Sequence, residues 1–178
     1  GRFVGVVMTA EHIAPARAQY NHRTDEGGAM FDLRKLLVDV FDPQQGEVVT
    51  VAVDTPRDGV PDTEAWAARR RMATRWRDEL VALGADRGFS VNPLLEWPAT
   101  GANNADLPAT ATLGDAKVDL ADALGGSTLV IAMTQFSATA PLAHLADSQP
   151  DFRAASMPGV EERMERTALA ADYAVVAA

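Results

Sequence analysis

A chain of 178 residues with 47% hydrophobic residues is long enough to bury one core and too apolar for wholesale disorder. Its formal net charge of −9 repels phosphate groups, so neither nucleic acid nor an anionic membrane is expected as a partner. With no cysteine, disulfides, thiolate nucleophiles and cysteine-ligated zinc or iron–sulfur centres are excluded, and a cytoplasmic location is the compatible expectation.

Residues 3–8 predict a first strand; the start of the chain is too short and too weakly basic for a secretory signal, and no apolar run reaches the ~18–20 residues that span a bilayer. The chain starts with Gly1 rather than Met and reads as a processed form or the edge of a fragment. From 9 to 28 it is polar, carries His12 and His22, and predicts a loop with a short helix. Phe31, Leu33, Leu36, Leu37, Val40 and Phe41 recur at near-helical spacing and predict an amphipathic helix over 29–41. Asp42-Pro43 ends it, because the residue before a proline is pushed out of the α region. The segment 42–46 reads as a linker, separating an N-terminal arm with a strand and a helix (1–45) from an α/β domain (46–178).

Residues 47–53 (EVVTVAV) are rich in β-branched side chains and predict a buried strand. Residues 62–83 predict the longest helix, with Asp62 or Thr63 as N-cap and Gly84 as C-cap. Trp66, Met72, Trp76, Leu80 and Leu83 supply its apolar face, and Arg69, Arg70, Arg71, Arg75 and Arg77 are placed mostly on other faces. Residues 89–95 predict a second buried strand. The stretch 96–116, with Pro98, Gly101, Pro108 and Gly114, predicts a long loop of the kind that often carries function. A short helix over 118–124, broken by Gly125-Gly126, leads to a third buried strand over 127–133. A helix over 139–146 follows, with Pro141 tolerated in its first turn. The remainder predicts a short strand over 152–156, a turn at Met157-Pro158-Gly159, a helix over 160–171 and a further strand over 173–176. This alternation predicts parallel strands joined by crossovers: an α/β, Rossmann-like three-layer sandwich with a mainly parallel sheet.

No GxGxxG follows the first buried strand and no GxxxxGK[ST] is present, which disfavours a standard phosphate loop. The three histidines are scattered, without HExxH or HxH spacing, so no metal site is expected in this chain. Glu161-Glu162 fit the positive end of a helix dipole. The arginines between Arg69 and Arg77 read first as a solvated face opposite an apolar stripe, with a subunit contact in a homodimer or an acidic ligand as the alternative.

Topology points to a candidate site. In open α/β sheets ligands collect at the carboxyl ends of the strands. Asp54 and Thr55 fall at the end of the first buried strand, Thr134, Gln135, Ser137 and Thr139 after the third, and Ser156 at the end of the fourth. These side chains are the candidate lining of a cleft for a small-molecule or peptide substrate; no catalytic residue is assigned. The same residue types also cap helices and close turns.

Leu129-Val130-Ile131-Ala132-Met133-Thr134, then Ser137-Ala138-Thr139, Arg153-Ala154-Ala155-Ser156-Met157-Pro158-Gly159-Val160 and Asp172-Tyr173 resemble one family. It is the superfamily of thermophilic metallo-aminopeptidases (aminopeptidase T) and 2,5-dihydroxypyridine dioxygenases. Its members carry a strand followed by T-x-x-S-x-T, then R-x-A-S-M-P-G-[IV], then DY. Residues 46–55 (GEVVTVAVDT) are similar to the family's first strand. The likeness covers residues 30–178 and is densest over 127–173.

The resemblance implies an N-terminal Rossmann-like domain, with metal-binding carboxylates and histidines mainly in a second, C-terminal domain. This chain ends where that domain should begin, so it reads as the front half of a larger enzyme, inactive alone. A divalent metal (Zn, Mn, Co or Fe) is implied for the other half, and a C-terminal catalytic domain is the implied partner. The implied activity is that of a metal-dependent, aminopeptidase-like hydrolase. A non-haem iron ring-cleaving dioxygenase is the alternative inside the superfamily, and a non-catalytic α/β binding or assembly module the alternative outside it. Several relatives carry a histidine just after the S-x-T turn; here Ala140 and Pro141 follow Thr139.

Overall fold

The computed structural model describes residues 31–167 and Leu169. Helix α1 (Leu33–Phe41) starts at Asp32, whose carboxylate accepts from Lys35 N at 3.0 Å, and it buries Leu36, Leu37 and Phe41. It stops at Asp42, where φ turns to +38° ahead of Pro43. Strand β1 (Val48–Thr55) leads to helix α2 (Glu64–Arg87), capped by the Thr63 side chain. Short strands β2 (Ser90–Val91), β3 (Leu95–Pro98), β4 (Thr110–Leu113) and β5 (Ala116–Asp119) follow, then α3 (Leu120–Gly125), β6 (Leu129–Ala132), α4 (Thr139–Ser148), β7 (Arg153–Ser156) and α5 (Glu162–Glu165).

The protein is an α/β fold built on a seven-stranded mixed sheet, mostly parallel, in the order β5-β4-β3-β1-β6-β7 with β2 also beside β1. Strand β1 is central and pairs in parallel with β2, β3 and β6, and β6 pairs in parallel with β7. After α2 the chain goes to β3 on one side of β1; it later returns to β6 and β7 on the other. The order therefore reverses between β1 and β6, and open α/β sheets bind ligands at such a reversal.

The period-two alternation of strand side chains fills two cores. Val49, Val51 and Val53 pack with Leu129, Ile131 and Met133 beneath α1 and α2, where Phe41 meets Trp76 edge-on at 5.8 Å. Ala52, Val130 and Ala132 face the other way, against Leu120 and Leu124 of α3 and Leu142 of α4. Helices thus cover both sheet faces. Among the described residues no helix is long and apolar enough to cross a membrane.

Several sequence expectations are corrected. Helix α2 runs through Gly84 and stops at Gly88, which has φ +78°. Gly84 is there for space, since a Cβ would lie 2.5 Å from the Phe89 carbonyl oxygen. The strand expected over 89–95 is split into β2 and β3 around Pro93, which has no N–H to give a ladder. The loop expected over 96–116 contains the end of β3, all of β4 and a tight turn at Gly114, φ +61°, so the sheet gains an antiparallel hairpin. Val118 pairs with Ala111 in β5, and α3 begins only after Asp119, whose carboxylate accepts from Asp122 N. Within the described residues the last helix spans Glu162–Glu165 rather than the whole of 160–171. The strands expected over 3–8 and 173–176, and the 9–28 segment with His12 and His22, lie outside the described residues.

Candidate functional site

Asp54 sits at the end of β1 and is 1% exposed. Its Oδ1 accepts from Gln135 N at 2.7 Å and from Trp66 Nε1 at 2.9 Å, and its Oδ2 accepts from Phe136 N at 3.0 Å. One carboxylate thus ties β1 to the turn after β6 and to the first turn of α2. Burial pushes its carboxyl above the ordinary carboxylate range, and the N–H donors only partly offset that.

Arg69, one turn into α2, is 4% exposed. Its Nε donates to the Val160 carbonyl and its Nη1 to Gln135 Oε1, both at 2.8 Å. Burial lowers its pKa, opposed by the nearby charges of Asp54 and Glu161. Gln135 therefore stands between a buried anion and a buried cation, its backbone N–H on Asp54 and its amide oxygen on Arg69.

Beyond Gln135 the chain turns into α4, whose N-cap residue is Ala138 and offers no side-chain acceptor. The loop after β3 supplies acceptors instead. Asn103 Oδ1 accepts from Ser137 N at 2.8 Å, and Asn104 Oδ1 accepts from Ala140 N at 3.0 Å. Asn104, at φ +59°, also donates its own N–H to the Ser137 carbonyl at 2.7 Å. Ser137 Oγ lies 2.9 Å from Thr139 Oγ1.

At the opposite, amino edge of the sheet, Arg153 at the start of β7 donates to both carboxylate oxygens of Glu47 at 2.8 and 2.7 Å. It also donates to the Phe41 and Asp42 carbonyls. Burial alone would raise Glu47, but Arg153 and the Gln44 N–H bring it below its ordinary value. The end of α1, the start of β1 and the start of β7 meet on this one guanidinium.

No protein-family model, curated protein or solved structure matches the chain. The site is therefore read from its own geometry.

The structure joins Asp54 to Gln135 directly, and Ser137 to Thr139. Thr134 is fully buried, its Oγ1 has no partner, and its carbonyl accepts from Gly159 N at 3.0 Å. Ser156 is also buried with an unpartnered Oγ, at the end of β7. Thr55 is turned to the other side, its Oγ1 donating to the Trp97 carbonyl. His144 is exposed on α4. Among the described residues no group of three His, Asp or Glu side chains comes together to hold a metal ion.

Sequence reasoning missed Arg69, Trp66 and the two asparagines. Arg69 had been grouped with the solvated arginines, yet it is buried, while Arg71, Arg75 and Arg163 are well exposed at their ion pairs. The spacing 66, 69, 72–73, 76, 80, 83 places it on the apolar stripe and was the available signal. Nothing local in 99–109 signals that Asn103 and Asn104 reach across to α4.

Proposed function

We propose that this chain is the Rossmann-like, substrate-binding N-terminal domain of a metal-dependent hydrolase of the aminopeptidase type. Its carboxyl edge forms one wall of a cleft, and a second domain carries the metal. The observation that carries this reading is the junction at the sheet's reversal point. There Asp54 fixes the turn that presents Gln135, Ser137 and Thr139 at the carboxyl ends of β1 and β6. The segments behind the family resemblance also depend on one another physically. Glu47 of the GE segment is held by Arg153 of the R-x-A-S-M-P-G segment, and Gly159 of that segment bonds Thr134 of the T-x-x-S-x-T turn.

In this reading Asp54 sets the wall and transfers no proton, since it is enclosed by N–H donors. Gln135, Ser137 and Thr139 orient a peptide or small-molecule substrate. The described residues do not fit a metal, so no step here runs through one; bound by the second domain, a divalent ion would activate water or polarise the scissile carbonyl. A cytoplasmic setting agrees with a chain that has no cysteine.

The test is a peptidase assay on the protein joined to the domain that follows it, loaded with Zn, Mn, Co or Fe. The double variant Ser137→Ala, Thr139→Ala should raise KM by about tenfold with metal content unchanged. Tight stoichiometric binding of any of these metals by the 178-residue chain alone would overturn the division of labour. Iron dependence with oxygen uptake would move the reading to the ring-cleaving dioxygenase. A non-catalytic binding module is the second reading, favoured by the enclosed Asp54 and by Ala140 at the head of α4. It requires that the intact protein turn over no peptide with any of these metals.

A further inference from the structure

Three charged side chains are buried among the described residues: Asp54, Arg69 and Glu165. Two of them are matched. Glu165 accepts from Arg75 and Trp76, and Asp54 accepts from three N–H groups. Arg69 is different. No ion pair reaches it among the described residues, and its only acceptors are neutral, the Val160 carbonyl and the Gln135 amide oxygen. A guanidinium offers five N–H donors, of which these bonds use two. Its Nη2 makes no hydrogen bond within the described residues.

A buried cation served by neutral oxygens is weakly compensated, because a charged acceptor makes a bond roughly twice as strong. Asp54 and Glu161 favour the charge from a distance, without touching it. The position is also the one where an α/β sheet presents ligands, beside the reversal between β1 and β6. Gln135 is half-buried, and its amide oxygen sits where one oxygen of a planar anion would sit.

We propose that Arg69 and Gln135 form a binding site for the carboxylate of a small-molecule ligand, in which a carboxylate oxygen takes the place of Gln135 Oε1 on the guanidinium. The ligand group is a carboxylate and not a phosphate. One cation matches a single negative charge, the chain is acidic at −9, and no Gly-rich run of N–H groups stands ready for a dianion. The assignment does not depend on the hydrolase reading.

Nitrogen-15 NMR of the 178-residue chain tests it, following the Arg69 Nε–H and Gln135 side-chain resonances during titration with sodium acetate. Sodium chloride at equal ionic strength and inorganic phosphate are the controls. Acetate should shift both resonances saturably and chloride should not. Arg69→Lys, which keeps the charge and loses the planar fork, should weaken acetate binding about tenfold. Gln135→Ala frees the guanidinium and leaves the cation in place, so it should tighten acetate binding several-fold even if Arg69 variants fail to fold. Absence of a saturable shift overturns the proposal. So does phosphate binding more tightly than acetate, or unchanged acetate affinity in Gln135→Ala. Wild-type affinity in a folded Arg69→Lys would do the same.

Discussion

Asp54 and Glu47 flank the same strand and carry opposite electrostatic histories. Burial lifts Asp54 above its ordinary 3.8, so the native chain holds that proton more tightly than the unfolded chain. Across the window from 3.8 up to the raised native value, stability therefore falls as the pH rises. Asp54→Asn removes this titration. Urea melts from acid to neutral pH should show the gap between parent and variant narrowing as pH rises through the window; a widening gap contradicts it. Glu47 has the reverse sign. Its native value lies below 4.5, so its contribution is present above that value and is lost as pH falls through the native one. Glu47→Gln should cost about 1–3 kcal/mol at neutral pH, because Arg153 keeps a neutral acceptor in place of a charged one. That deficit should close on acidification. At this scale the sequence shows where residues fall along the chain better than what they touch. Asp54 and Gln135 are legible as strand-end residues, but the hydrogen bond between them spans 81 residues. Arg69 is hard to tell from its neighbours because a run of arginines on a helix reads first as a solvated face.

Helix α2 illustrates how an element's end is set by contacts rather than by the first glycine met. Gly84→Ala improves helix propensity by about 1 kcal/mol, yet its Cβ would press on the Phe89 carbonyl at 2.5 Å. Overpacking of that kind costs about 1–3 kcal/mol, so the variant should lower the urea midpoint; a raised midpoint would show that Phe89 yields freely. For α4 the start at Thr139 is legible, with Pro141 in the first turn, but the acceptor that caps it is not, since it comes from Asn104, far along the chain. Asn104→Ala should cost about 1 kcal/mol in the same assay and loosen the Ala140 amide in hydrogen exchange, while the Ser137 amide, held by Asn103, keeps its protection. The buried parallel strands are legible because a strand covered on both faces is apolar throughout, as in β6. The β4–β5 hairpin is not, because its half-exposed Thr, Ala, Lys and Asp residues are recruited by pairing with β3.

Across the whole molecule, two cores share one sheet, and the last described helix is joined to them by a polar clasp. Glu165 is 1% exposed and accepts from the Trp76 indole and from Arg75. Glu165→Ala strands that indole N–H in the core and should cost about 1–3 kcal/mol. Hydrogen exchange should show α5 opening while β1 and β6 keep their protection; uniform loss everywhere would mean the clasp supports the entire fold. The rhythm of strands and helices made the class of fold legible. The strand order was not, because nothing local tells β3 and β6 to lie on opposite sides of β1.

Because β4 runs antiparallel to β3, residues 99–109 leave and rejoin the sheet at the same edge, next to Ser137. That geometry makes the stretch an exchangeable cassette. A different loop can be spliced between Pro98 and Thr110 provided it brings acceptors for both the Ser137 and the Ala140 N–H groups. If the proposed cleft wall binds substrate, variation in its preference would accumulate in this one short segment while the scaffold stays unchanged, and recombination experiments would begin there.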